Sequence, residues 1–191
     1  MAERMILHDK RLAGTPPPIV ENIYEVDGTV PIQHCISWVG QHARDVSGLR
    51  ELLIMCHGYE ADWDLADQMC TGRPVGGFGL QLCREGLSLS NAILLALWNP
   101  GKPLIKRITV YACASADTGA GNQGTAADGR RFMGEIALWT GAEVIAARDT
   151  QIYTFGGSAN APIDFGDWEG PVYRFDPDTG NPSLYSPGRM Q

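Results

Sequence analysis

Two apolar runs of strand length constrain this chain more than any other feature, because each stops at a reactive side chain. Leu52-Leu53-Ile54-Met55-Cys56 leads into His57 and Gly58, and Ile108-Thr109-Val110-Tyr111-Ala112 leads into Cys113. Runs this short, without polar punctuation, read as buried strands, and parallel strands gather functional groups at their carboxyl ends. If the two strands are neighbours, an imidazole and a thiol meet at one edge of one sheet. A thiol attacks a carbonyl as thiolate, a form that a nearby imidazole favours, and the resulting oxyanion needs backbone N–H donors. Gly58 permits close backbone approach, and the Cys113 amide is a second candidate donor. His57, Gly58 and Cys113 are thus a minimal set for acyl transfer.

Around these runs, strand and helix patterns alternate. Residues 1–18 read as an N-terminal extension ending in the stiff spacer Thr15-Pro16-Pro17-Pro18. Residues 19–26 are expected as a strand that stops at Asp27-Gly28. Ile32, Cys35, Ile36, Val39 and Ala43 recur at helical spacing, which predicts a helix over 31–44 with Pro31 in its first position and a strand over 50–57 after it. Residues 59–85 read as a long loop at the rim of the site, with a short strand at 80–83. Ser88 or Ser90 is expected to cap a helix over 92–98, apolar nearly all round and therefore buried. A strand over 104–113, a Gly-rich loop over 114–126, a helix over 127–140 with Gly141 at its C-cap and a strand over 142–147 complete the core. Residues 151–155 extend or pair with that last strand, and 156–191 read as an irregular segment holding one short strand at 172–175. The sum is one α/β domain over residues 1–191, a sandwich around a mostly parallel sheet.

Charge and cysteine usage exclude several classes. A net charge of −7 and a pI near 5.0 argue against a nucleic-acid or anionic-membrane surface, both of which need a basic patch. The opening residues lack the apolar stretch of a secretory signal, so the cytoplasm is the expected location, with export by a specialised route left open. Five cysteines, scattered and odd in number, suit reduced thiols. His34, Cys35, Cys56, His57, Cys70 and Cys83 show no C-x-x-C or H-x-x-x-H spacing, so no metal is expected. Asp62, Asp64 and Asp67 lack the Gly and distal Glu of an EF-hand loop and read as solvated surface. Gly119, Gly121 and Gly124 have the spacing of a dinucleotide fingerprint, but the run starts several residues beyond the strand end that Cys113 occupies.

Chain order narrows the chemistry. His8, His34, His42 and His57 all precede Cys113. Papain-like enzymes and α/β-hydrolases place their histidine after the nucleophile, and Tyr111 stands where a nucleophile elbow needs its first Gly, so both are excluded for Cys113. A strand ending in His-Gly and a later strand ending in Ala-Cys resemble the caspase-like cysteine peptidases (clan CD). That group includes caspases, metacaspases, clostripain, gingipains, legumain, separase and the autoprocessing domains of large bacterial toxins. The stretch Thr140-Gly141-Ala142-Glu143-Val144-Ile145-Ala146-Ala147, after a helix, looks like the bacterial members, and the resemblance covers roughly residues 50–150.

The resemblance implies a three-layer caspase-like sandwich and a cysteine endopeptidase working through a Cys–His dyad and a thioester acyl-enzyme. His57 would be the general acid/base, Cys113 the nucleophile, and the Gly58 and Cys113 amides the oxyanion hole. The partner would be a polypeptide substrate, the chain itself included, with no cofactor. Tyr111 stands where caspases have Gln and metacaspases commonly Asp, and Ala114-Ser115-Ala116 also departs from both. Cleavage specificity is therefore not carried over, and Tyr111, Asp117, Arg148 and Asp149 are the candidates for the substrate pocket. Two alternatives stay open: a catalytically inactive caspase-like binding or regulatory module, and a nucleotide-binding α/β protein.

Overall fold

Alternation along the apolar runs decides how the sheet is covered. The structure, a computed structural model, describes residues 3–20, 22–59, 77–119, 121–156 and 161–186. In chain order its strands are β1 (Glu3–Asp9), β2 (Asn22–Val26), β3 (Leu49–Met55), β4 (His57–Tyr59), β5 (Gly79–Gln81), β6 (Arg107–Tyr111), β7 (Glu143–Ala147), β8 (Thr154–Phe155), β9 (Ile163–Asp164), β10 (Val172–Phe175) and β11 (Pro182–Tyr185). Two α-helices, α1 (Ile32–Asp45) and α2 (Gly129–Thr140), and a 3-10 helix (Ala92–Trp98) complete the described elements.

Seven strands form one sheet in the order β11-β10-β7-β6-β3-β1-β2. From β2 to β7 neighbouring strands run parallel, and β10 and β11 add an antiparallel edge. Met5, Leu7, Leu52, Ile54, Ile108, Val110, Val144 and Ala146 share one core with the buried sides of α1, the 3-10 helix and α2. The alternate residues Ile6, Leu53, Met55 and Tyr111 face the other way, beneath Leu12, Ile163 and Phe165. Burial on both faces is why Leu52-Leu53-Ile54 shows no polar alternation. The protein is thus an α/β fold around a mostly parallel sheet. Helices form one cover, and irregular segments with the β8–β9 hairpin form the other. No helix of the described residues is long and apolar enough to cross a membrane.

The strand order places a crevice. From β1 the chain passes to β2 on one side, then returns to β3, β6 and β7 on the other. The order therefore reverses between β1 and β3, and in open α/β sheets such a reversal leaves a ligand crevice outside the carboxyl ends of the strands. Asp9 closes β1 there, and His57 lies just past the end of β3.

Several expectations need correction. The opening residues are not an appendage, because β1 lies between β2 and β3 with both neighbours parallel to it. Residues 151–155 do not join β7: β8 pairs with β9 in a separate hairpin. The tail is not all turn, since β11 pairs with β10 along Val172–Tyr185 to Phe175–Pro182. The segment 92–98 is a 3-10 helix whose three-residue period buries Ala92, Leu95 and Trp98 and leaves Ile93 57% exposed, so it is covered on one side only. No serine side chain caps it, and Asn91 instead accepts from the Ser88 amide (2.8 Å). Helix α1 buries the expected stripe, with Pro31 one position earlier, at the N-cap, while the Glu85 carboxylate accepts from the Ile32 amide (2.7 Å).

Helix α2 has local caps at both ends. Gly141 closes it in the left-handed region, φ 63°, a conformation cheap for glycine. Asp128 accepts from the Arg131 amide (3.1 Å), the Gly124 amide (2.8 Å) and the Thr118 hydroxyl (2.7 Å). Burial pushes the Asp128 carboxyl up, but these donors outweigh burial and hold it below the ordinary carboxylate range. A depressed folded value means that the stabilisation is complete above that range and is lost as pH falls through it. Asp128→Ala is expected to cost about 1 kcal/mol at neutral pH in urea unfolding. The gap from the native protein should narrow as the pH falls through and below the ordinary carboxylate range.

Candidate active site

At the carboxyl edge of the sheet, β3 and β6 are adjacent and parallel, with Met55 opposite Tyr111. The Cys56 amide donates to the Tyr111 carbonyl (3.3 Å), which carries the pairing one step past the strand ends. Cys56 and Ala112 belong to the helix-side core, and His57 and Cys113 follow them directly, at the start of β4 and in the turn after β6. Gly58 fixes the closeness. A Cβ there would lie 2.8 Å from the Cys113 carbonyl carbon and 3.0 Å from its amide nitrogen, and would run into its carbonyl oxygen. No side chain fits where one backbone crosses another this tightly.

The main-sheet strand stops at Met55, two residues before the expected His57, because His57–Tyr59 turns off to pair antiparallel with Gly79–Gln81. Gly58 stands opposite Leu80, whose amide and carbonyl both bond Leu87 (2.8 and 3.0 Å). A residue in an antiparallel pair turns its N–H and C=O to the same side, so Gly58 turns its own peptide groups away from β5.

His57 is half-buried, and its Nε2 lies 3.2 Å from the Arg11 carbonyl oxygen. The tautomer that donates Nε2–H to this carbonyl leaves Nδ1 as the basic nitrogen. Of the four described cysteines, Cys35, Cys56 and Cys83 are buried and only Cys113 is partly exposed. Burial pushes the Cys56 thiol well above its ordinary range, so the cysteine beside His57 in sequence is an inert core residue. The Cys113 thiol donates to the Gln151 carbonyl at 3.6 Å.

The turn after Cys113 is held from several sides. Ala114 adopts φ 48°, unusual for a residue with a Cβ, and its amide donates to the Asp149 carbonyl (3.2 Å). The Ala116 amide donates to the Ala147 carbonyl (2.9 Å), and the Asp117 carbonyl accepts from both Gly77 (3.1 Å) and Gly129 (2.7 Å). The buried Gln151 side chain ties this turn onward, donating to the Asp149 (2.8 Å) and Glu169 (3.1 Å) carbonyls.

Three of the four pocket candidates fall together. Arg148 pairs with Asp149 (2.6 Å), and burial, reinforced by Asp149, pushes the Asp117 carboxyl up against the pull of Arg148 and Arg130. Tyr111 is different. It is 6% exposed, with Trp168 stacked on it (ring centroids 4.7 Å apart) and Phe165 tilted against it (4.9 Å). Tyr111 therefore forms a floor under an aromatic layer, not an open pocket wall. Burial pushes its hydroxyl well above the ordinary phenol range, so it stays protonated.

Arg11 and Gln151 meet His57 and Cys113 through backbone carbonyls and so leave no side-chain signature in the sequence. Cys70 and the acidic run Asp62, Asp64 and Asp67 lie outside the described residues, as does most of the loop proposed as a rim. Comparison with protein-family models, curated proteins and solved structures finds no match.

Proposed function

We propose that this chain is a cysteine endopeptidase of the caspase-like (clan CD) kind, with Cys113 as nucleophile and His57 as general acid/base. One observation carries the reading: the His57-Gly58 backbone lies across the Cys113 peptide at the carboxyl edge of adjacent parallel strands, beside the crevice where strand order reverses. The Cys113 thiolate attacks the scissile carbonyl carbon, and the oxyanion is met by the Gly58 and Cys113 amides. His57, protonated at Nδ1 and steadied at Nε2 by Arg11, gives its proton to the leaving amine. The thioester then takes up water, whose proton returns to His57 as the carbon–oxygen bond forms, and the thiolate leaves.

The nucleotide reading is less well supported. The amides of Gly124, in the loop, and of Arg131, in the first turn of α2, are already taken by the Asp128 carboxylate, a group that repels the phosphate such a loop would cradle.

A positional-scanning library of fluorogenic peptides tests the proposal. Cleavage by the native chain and none by the Cys113→Ala protein is the expected result. No cleavage of any peptide by either protein favours the inactive binding module, and equal cleavage by both excludes a Cys113 nucleophile.

A further inference from the structure

Strand β1 ends in Leu7-His8-Asp9, and the Asp9 side chain has no solvent exposure. A buried carboxylate is costly unless every lone pair is met. Here each oxygen has two donors. Oδ1 accepts from the Arg11 amide (3.1 Å) and Nε (2.8 Å), and Oδ2 accepts from Arg11 Nη2 (2.6 Å) and the Cys83 amide (2.9 Å). Arg11 Nη2 also donates to the Cys83 carbonyl (2.6 Å), and the Leu12 amide donates to the Asp9 carbonyl (2.9 Å). One carboxylate thus closes the turn at residues 9–12 and bolts it to the chain just beyond β5. Both elements bear on His57, since the Arg11 carbonyl receives Nε2 and β5 pairs with the strand that His57 opens.

We propose that Asp9 is a positioning residue for His57. It acts through the Arg11 turn, holding the carbonyl that fixes which imidazole nitrogen faces the thiol. The inference rests on the Cys–His reading of the site. Carbonyl and carboxylate partners of this kind set ring orientation and tautomer, and around metal-bound histidines the loss of one typically costs about 10- to 100-fold in affinity or activity, the scale taken for this ring. The ionisable groups around the turn are Asp9 and Arg11 at the end of β1, His57 and Tyr59 on β4, Cys83 past β5, Cys56 after β3, Cys113 after β6 and Cys35 on α1, together with the buried His8, whose Nε2 lies 3.0 Å from the Leu12 carbonyl oxygen and whose Nδ1 faces Glu25, and Lys10, which pairs with Asp27.

The test is the rate at which iodoacetamide alkylates Cys113, read by peptide mapping from about pH 4 to about pH 9, which spans the imidazole and thiol ranges. The native chain should react well below the ordinary thiol range. His57→Ala should react only as that range is reached. Asp9→Asn, folded by its melting curve, should move toward the His57→Ala profile and lose about 10- to 100-fold of the neutral-pH rate. Should Asp9→Asn fail to fold, Arg11→Lys is read the same way: it keeps a cation against Asp9, loses the forked contact, and should show a smaller shift in the same direction. A folded Asp9→Asn or Arg11→Lys protein with the native profile overturns the proposal. A native profile already identical to that of His57→Ala overturns the Cys–His reading itself, and this inference with it.

Discussion

Cys113→Ala is expected to lower kcat/KM for the best library peptide by at least about three orders of magnitude, and His57→Ala by a comparable factor. The two groups act as one unit, so the double variant should be no worse than either single one, a non-additivity that independent contributions would not produce. Neither change should unfold the protein. His57 and Cys113 are only partly buried, and the cores on both faces of the sheet are built from other residues. Rates from the three proteins on one peptide, beside their melting temperatures, check this. Multiplying losses would place the residues in separate roles.

Gly58→Ala should have the second-largest effect, through geometry. The added methyl meets a carbonyl oxygen and an amide nitrogen of the Cys113 backbone, which have no rotamer to yield by. Overpacking of this kind costs about 1–3 kcal/mol. Displacing an oxyanion donor costs about 100- to 1000-fold in kcat. The expected signature is a folded but less stable protein with kcat reduced and KM little changed. A Gly58→Ala protein of native stability and native kcat would show that the two backbones are not in contact.

The apolar runs made the centre of this fold legible. Strands β3, β6 and β7 and the stripe of α1 announced themselves because residues buried on one or both faces leave a period in the sequence. The same signature was present at Met5-Ile6-Leu7-His8-Asp9, an apolar run that also stops at ionisable side chains. The three prolines at 16–18 suggested an appendage, yet that run became an inner strand and supplied the turn beside His57. Strand β11 was illegible for the opposite reason. Pro182, Ser183 and Leu184 are exposed at the sheet edge, with Leu184 at 76%, so burial imposes no alternation on them. The 3-10 helix deceived by composition, since a three-residue period covers fewer positions than an apolar tally suggests.

Of the candidate site, His57, Gly58 and Cys113 could be placed from chain order and strand ends alone. The Arg11 and Gln151 carbonyls could not, because every residue carries a carbonyl and only the fold decides which are aimed at the site. Tyr111 looked like a pocket wall from its position two residues before Cys113. The rings of Trp168 and Phe165, more than fifty residues downstream in the sequence, turn it into a floor.

The central claim is that imidazole 57 activates sulfur 113. It is tested most directly by the intact-protein mass spectrum after incubation with a peptidyl acyloxymethyl ketone. One adduct per chain, mapped to Cys113 in the native protein and absent from His57→Ala under the same conditions, is the predicted result. An adduct that forms equally fast without His57, or that maps to another cysteine, would contradict it.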